Sequence, residues 1–204
     1  LTHSGATTES ISRLELEIET LVIDESSAID VSGKGYLGGR RSGLGNCGRT
    51  LGNVSGSCVN SGGSYGGLGG ESGDYQIGET YGDYRNPDHL GSGGGGYYDY
   101  YAGGDQPGGY GGGLVRIKAS SITLLGSIKA DGGGSGRRGA GSGGGIWIET
   151  GSLEGTGTIS ASGGIGSSSG SSTGGGGGRV AVYYGDISGF DTANIVAYGG
   201  TGRR

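Results

Sequence analysis

The chain has 204 residues, of which 58 are glycine and only 30% are hydrophobic, with one Phe, one Trp and no Met. A wide globular core cannot be assembled from that inventory, whereas a thin one, a few side chains across, can. The net charge of −5 and pI near 5.0 speak against a nucleic-acid partner, and there is no run of about 18 apolar residues to insert into a membrane.

The chain opens on Leu1, without an initiator Met or signal peptide, and reads as a mature chain or a piece of a larger protein. Residues 1–12 are polar and rich in Thr and Ser, the composition of an edge or a cap. Residues 13–35 then alternate, with Leu16 and Ile18 between Glu15, Glu17 and Glu19. That is strand patterning, and the acidic comb reads as a solvated face that discourages edge-to-edge pairing. Gly33-Lys34-Gly35-Tyr36-Leu37-Gly38 matches G-x-G-x-x-G, but the continuation GRRSGLGNCG cannot form the helix a dinucleotide site needs.

Residues 36–110 form a long excursion rich in Gly and Tyr. Cys47 and Cys58 lie eleven positions apart within it. A disulfide there restrains the loop and fits an extracellular protein; two reduced thiols are the alternative, and with no neighbouring His a zinc site is not indicated. Asn53-Val54-Ser55 is an N-glycosylation sequon. Nine tyrosines follow, densest at Tyr97-Tyr98-Asp99-Tyr100-Tyr101. Tyr on a Gly scaffold beside Asp and Asn is chemistry for stacking on sugar faces or making adhesive contacts. Tyr81, Tyr84, Tyr97, Tyr98, Tyr100 and Tyr101 are accordingly the contact candidates, and a second reading has the rings forming the loop's own small core. Asp83, Asp88 and Asp99, with His89 beside Pro87, are the one set from which metal chemistry can be drawn, in the form of a structural Ca²⁺ held by carboxylate and carbonyl oxygens. No other cofactor is implied. No Ser-His-Asp set is suggested, and the expectation is that the chain is not an enzyme.

The remainder repeats a unit. GGGIWIETGSLEGTGTISASGG, residues 143–164, has Ile146 and Ile148 pointing opposite to Trp147 and Glu149, with Leu153, Ile159 and Ala161 continuing the apolar face. In residues 111–133, Val115, Ile117, Ile122, Ile128 and Ala130 take the same places without a gap. In residues 176–200, Val180, Val182, Ile195 and Ala197 do so across a longer turn carrying Phe190. In residues 13–35, Leu16, Ile18, Ile23, Ile29 and Val31 align ungapped with Val115, Ile117, Ile122, Ile128 and Ala130. A unit this short cannot bury its own apolar face and makes sense when stacked on copies of itself. The expected fold is all-β, a parallel β-solenoid (β-helix) with long glycine-rich loop excursions, forming a single domain over 1–204; a β-sandwich of similar short strands is the alternative. Arg116 and Arg179 face outward from their strands and read as solubilising. Ordered glycine runs require close packing, either as extended polyglycine chains hydrogen-bonded side by side or against neighbouring subunits. The terminal Arg203-Arg204 reads either as a dibasic processing site or as an arbitrary end of the piece.

The strings TLVIDESSAIDVSGKGYLGG, SGGSYGGLGG, YGDYRNPDHLGSGGGG, GGGLVRIKA and GGGGGRVAVYYGDISGF together resemble a glycine-rich β-solenoid module of very large secreted or cell-surface proteins, mostly bacterial. The likeness covers nearly the whole chain. It implies a secreted, structural or adhesive role and brings no catalytic residues with it. The expectation is therefore an extracellular module whose partner is itself, in an oligomer or filament, or a surface glycan; a carbohydrate-binding module is the rival.

Overall fold

The computed structural model describes residues 1–101, 103–167 and 171–202; Arg203-Arg204 lies outside them. The strands in chain order are β1 (Leu14–Ile23), β2 (Ala28–Asp30), β3 (Arg49–Thr50), β4 (Val54–Ser55), β5 (Tyr97–Asp99) and β6 (Gly104–Gln106). They continue with β7 (Leu114–Leu124), β8 (Ser127–Lys129), β9 (Gly145–Gly155), β10 (Thr158–Ser160), β11 (Arg179–Phe190) and β12 (Ile195–Val196). The chain is thus almost entirely β and irregular, with two single-turn 3₁₀ segments at Leu51–Asn53 and Thr192–Asn194.

Two four-stranded parallel sheets carry the apolar residues. The long strands stack in the order β1-β7-β9-β11 and the short ones in the order β2-β8-β10-β12. The order is the same in both because each long strand is followed by its short one. Parallel pairing brings like residues together: Val115 on Ile146, Ile117 on Ile148, Ile122 on Leu153 and Ile128 on Ile159. These columns meet in one core between the sheets, with Val115, Ile117, Ile122, Ile128, Ile146, Ile148 and Ile159 fully buried. Each such side chain stabilises the fold by about 1.5–3 kcal/mol.

The first copy departs from the ungapped alignment. Leu14, not Leu16, pairs with Val115, Leu16 pairs with Ile117, and Ile23 with Leu124, while Ile29 keeps its expected partner Ile128. The two-residue difference is taken up in the turn, residues 24–27 in the first copy against 125–126 in the second. A shift of two leaves every side chain on the same face, so the apolar pattern alone cannot detect it. Phe190 also differs from expectation. It ends β11 and closes the core instead of riding in a turn, after a register shift between Asp186 and Gly189.

Glycine runs occupy the other half of the molecule, and they are packed side by side within the one chain. Residues 139–144 show the arrangement. Gly139 and Ser142 donate to Gly95 and Ser92, Ala140 and Gly143 to Thr173 and Gly176, and Gly141 and Gly144 to Gly133 and Ala130, all at 2.7–3.0 Å. The direction of donation therefore repeats every third residue, the symmetry of a threefold polyproline-II-type helix that has no internal hydrogen bonds. Three more segments donate to this one, from Gly109 and Gly112, from Gly63, and from Gly164. Six extended segments thus surround it in a hexagonal array. A Cβ on Gly141 would fall onto the Tyr110 carbonyl, and one on Gly94 onto that of Gly139. Glycine is needed here for the absence of a side chain, since neither residue has positive φ.

The polar N-terminal segment lies on the edge of the short sheet. Leu1 N donates to Ala28 O at 2.8 Å and Asp30 N to Leu1 O at 2.9 Å, a parallel bridge that adds Leu1 to the Ile29–Ile128–Ile159–Ile195 column. His3 follows, with Nδ1 donating to Ser4 O and Nε2 accepting from Leu114 N. Ala6 is buried against Tyr36, Leu90 and Leu114. On the long sheet, Glu15, Glu17 and Glu19 are exposed along the edge strand β1.

Candidate functional site

The contact candidates divide between two places. Tyr81 and Tyr84 belong to the segment YGDYRNPDHL, residues 81–90, which lies over the outer face of the long sheet. Arg116 reaches from β7 to donate to Asn86 Oδ1 and Pro87 O, both at 2.9 Å, and its guanidinium sits 4.4 Å from the Trp147 ring. Arg179 of β11 donates to Tyr81 O at 2.9 Å, and Tyr183 OH donates to Arg85 O at 2.8 Å. Arg116 and Arg179 are therefore clamps and not solubilising charges, because the outer face at the start of these strands is covered by protein.

Tyr81 is structural. Its hydroxyl donates to Leu90 O at 2.6 Å and lies 3.0 Å from Ser92 Oγ, and its ring packs on Tyr65, 4.8 Å between centroids. Burial pushes both phenols well above the ordinary tyrosine range and raises Tyr36 as well. These three rings make the small loop core that was one of the two sequence readings. Tyr84 remains exposed beside the Arg85 guanidinium.

Tyr97, Tyr98, Tyr100 and Tyr101 lie together on the antiparallel hairpin of β5 and β6, where Tyr97 faces Gln106, Tyr98 faces Asp105 and Asp99 faces Gly104. A lone two-stranded hairpin is marginal in water, and this one is held on each face by an arginine. Beneath one face, Arg138 stacks 5.0 Å from the Tyr97 ring, pairs with Asp99 at 3.2 Å and reaches Asn60 Oδ1 at 3.4 Å. Only 9% of Arg138 is exposed. Beneath the other face, Arg40 stacks 5.5 Å from Tyr98, pairs with Asp105 at 3.5 Å and donates to Asn46 Oδ1 at 2.6 Å. Arg41 lies 4.0 Å over the Tyr110 ring at the hairpin's base and donates to Gly108 O. Cation–π contacts of this kind contribute about 0.5–2 kcal/mol each, more where water is excluded.

Tyr100 and Tyr101 lie beyond this anchoring. Asp99 Oδ1 accepts from Tyr101 N and shapes the turn. Tyr100 is 83% exposed and Tyr101 fully exposed, their rings edge-on to one another at 6.4 Å. Tyr100 and Tyr101 are thus two adjacent aromatic rings left uncovered beside a base that arginines pin.

The three aspartates named as metal ligands are not brought together. Asp83 caps its own turn by accepting from Arg85 N, Asp88 pairs with His89 at 3.2 Å, and Asp99 holds Arg138. Among the described residues, no group of three His, Cys, Asp or Glu side chains is placed to hold a metal ion. Cys47 and Cys58 form a disulfide, which closes the base of the β3–β4 hairpin next to the Gly48 N–Ser57 O bond. At that hairpin's end, the sequon residue Asn53 donates through Nδ2 to Thr7 O and Thr8 O.

The residues that sequence reasoning did not single out are Arg40, Arg41 and Arg138. Their signal is an Arg-Arg pair inside a glycine run, at Arg40-Arg41 and Arg137-Arg138. Charge placed among residues without side chains must reach for partners elsewhere. Comparison with protein families, with characterised proteins and with solved structures finds no match to the chain.

Proposed function

We propose that the chain is an extracellular structural and adhesive module, built as a β-solenoid whose glycine excursions form one stiff body with it, and that the β5–β6 hairpin is its contact face. The observation that carries this reading is the contrast between an arginine-pinned hairpin base and the uncovered Tyr100–Tyr101 tip. The Cys47–Cys58 disulfide is consistent with an oxidising compartment. No helix among the described residues is long and apolar enough to cross a membrane. The contact is passive. Rings already held in place lose little entropy when they meet a second copy or a surface glycan.

A carbohydrate-binding role is the second reading, favoured by the pairing of Tyr97 with Gln106 and of Tyr98 with Asp105. Rings beside an amide and a carboxylate suit the apolar face and the hydroxyls of a pyranose. The test is adsorption of the purified chain to immobilised polysaccharides and to a layer of itself, for the wild type and for Tyr100→Ser/Tyr101→Ser. A drop in retention of roughly tenfold or more on one of these surfaces supports the contact face. Equal retention of both proteins on every surface refutes it. Loss confined to polysaccharide selects the carbohydrate reading, and loss confined to the self-layer selects assembly.

A further inference from the structure

We propose that the hairpin tip is a site of oxidative tyrosine cross-linking, at which Tyr100 or Tyr101 of one copy is joined to the same tip of another. The idea rests on the extracellular structural reading and adds a covalent step to it.

The chain is depleted of competing sinks for a one-electron oxidant. It has no Met, both cysteines are spent in the disulfide, and the single Trp147 is half-buried under the Arg116 guanidinium. Sulfur, the usual first target of oxidation, is therefore absent in reactive form. Oxidation falls on tyrosine, of which there are 13.

Structure sorts those tyrosines. Tyr36 and Tyr65 are enclosed and the Tyr81 hydroxyl is bonded internally. Tyr84, Tyr97, Tyr98 and Tyr110 each have a guanidinium over one face. Tyr183 is tied to Arg85 O and packed on Trp147. Tyr75 and Tyr198 are exposed singly, and Tyr184 follows Tyr183 along β11, so those two rings stand on opposite faces of the strand. Coupling joins two rings at the carbons ortho to oxygen, so ring edges on separate molecules must meet. Among the described residues, only the hairpin tip brings two rings this exposed, Tyr100 and Tyr101, edge-on to one another.

Each of two phenols gives up its hydroxyl hydrogen as one electron and one proton. The two phenoxyl radicals form one carbon–carbon bond between ortho carbons, and the two ortho hydrogens move to the oxygens to restore the phenols. One hydrogen peroxide takes the two electrons and two protons and leaves as two waters. A haem peroxidase of the surroundings supplies the one-electron relay.

The test uses the full chain with hydrogen peroxide and a peroxidase, reading dityrosine fluorescence, covalent dimer on a denaturing gel and the cross-linked peptide by mass spectrometry. Tyr100→Phe/Tyr101→Phe keeps both rings and removes both oxidisable hydroxyls. Its dimer yield is expected to fall tenfold or more, while Tyr75→Phe/Tyr198→Phe dimerises like the wild type. Equal melting temperatures show that all three proteins are folded. The proposal is overturned if the tip variant dimerises like the wild type, or if the linked peptide maps away from residues 97–106. Because Phe preserves stacking, a tip variant that still adheres but no longer cross-links separates this proposal from the adhesive reading. A wild type that cross-links at the tip yet adheres to nothing refutes the adhesive reading alone.

Discussion

The glycine array makes a demanding prediction at Gly141. Its N–H donates to Gly133 O at 2.9 Å and its carbonyl accepts from Gly164 N at 2.8 Å, so the backbone is held from both sides. A Cβ added there meets the Tyr110 carbonyl carbon and oxygen and Gly111 N, all backbone atoms that cannot rotate away. Restoring ordinary contact separates segments 108–113 and 139–144 by about 1 Å or more. That lengthens the Gly109 N–Gly139 O, Gly112 N–Ser142 O and Gly133 N–Tyr110 O bonds, now 2.9, 2.8 and 2.7 Å, toward or past the limit of a hydrogen bond. Each buried bond left unmade costs about 1–3 kcal/mol. The gain from a less flexible unfolded chain is only about 0.4–1 kcal/mol. Gly141→Ala should therefore lose about 3–6 kcal/mol, a large share of a typical 5–15 kcal/mol stability. Gly136→Ala is the control, since a Cβ there meets nothing and φ is ordinary; it should be neutral or slightly stabilising. Urea unfolding followed by Trp147 fluorescence reads both. Should Gly141→Ala unfold within about 1 kcal/mol of the wild type, close packing of the glycine segments is wrong.

Four further outcomes are expected. Arg138→Ala leaves the buried side of Asp99 without its cation and should cost about 3–5 kcal/mol, with amide exchange rising first over residues 97–106. Arg116→Ala removes two hydrogen bonds to the 86–87 backbone and side chain and uncovers Trp147, so an altered tryptophan emission maximum in the folded protein is its signature. Replacing both cysteines by serine, which opens a loop with a separation of 11, should cost about 2–4 kcal/mol; unchanged stability would mean that the hairpin's hydrogen bonds suffice. His3 gives the pH dependence. Burial lowers its pKa below the usual value of 6.5, with Lys34 adding to the effect against a Ser4 bond that opposes it. The folded chain thus binds fewer protons than the unfolded one as pH falls below about 6.5, and protonated Nε2 can no longer accept from Leu114 N. The stability that neutral His3 contributes is present above that pH and lost as pH falls through the depressed folded value. His3→Gln should flatten this slope, measured as exchange protection of the Leu114 amide.

What could be read in advance follows from which residues have side chains to display a pattern. Val115, Ile117 and Ile122 alternate with polar neighbours, so their stacking on Ile146, Ile148 and Leu153 was legible to the residue. The slip of β1 was not, since a step of two changes partners without changing faces. The stub Leu1-Thr2-His3-Ser4-Gly5 echoes Ile29-Asp30-Val31-Ser32-Gly33, and that likeness would have placed it on the short sheet. The glycine segments are a different case. Their three-residue repeat lies in the direction of N–H donation, and a residue with no side chain leaves no trace of it in composition. Tyrosine is ambiguous for another reason. An apolar ring with a polar end satisfies both core and surface, so Tyr65 and Tyr101 look alike in the chain while one is enclosed and the other wholly exposed.

The same array explains why the hairpin is where it is. Extended strand and threefold glycine helix lie close in backbone dihedral space and differ little in rise, about 3.3 against 3.1 Å per residue. A chain therefore passes from one to the other without a turn. Residues 108–113 run into β7, 139–144 into β9 and 173–178 into β11. Segments 91–96 and 108–113 are antiparallel neighbours, joined by Gly91 N–Gly112 O and Gly94 N–Gly109 O, each 2.9 Å. The two strands of the hairpin continue these segments outward, so Tyr97 meets Gln106 in a register set inside the array. The Gly96 N–Asn46 O bond at 2.8 Å and the Gly108 N–Gly39 O bond at 3.0 Å tie down both ends. Positional precision at the tyrosine tip is thereby inherited from backbone bonds made almost entirely between glycines, and a substitution deep in the glycine array should raise amide exchange over β5 and β6 before it unfolds the sheets.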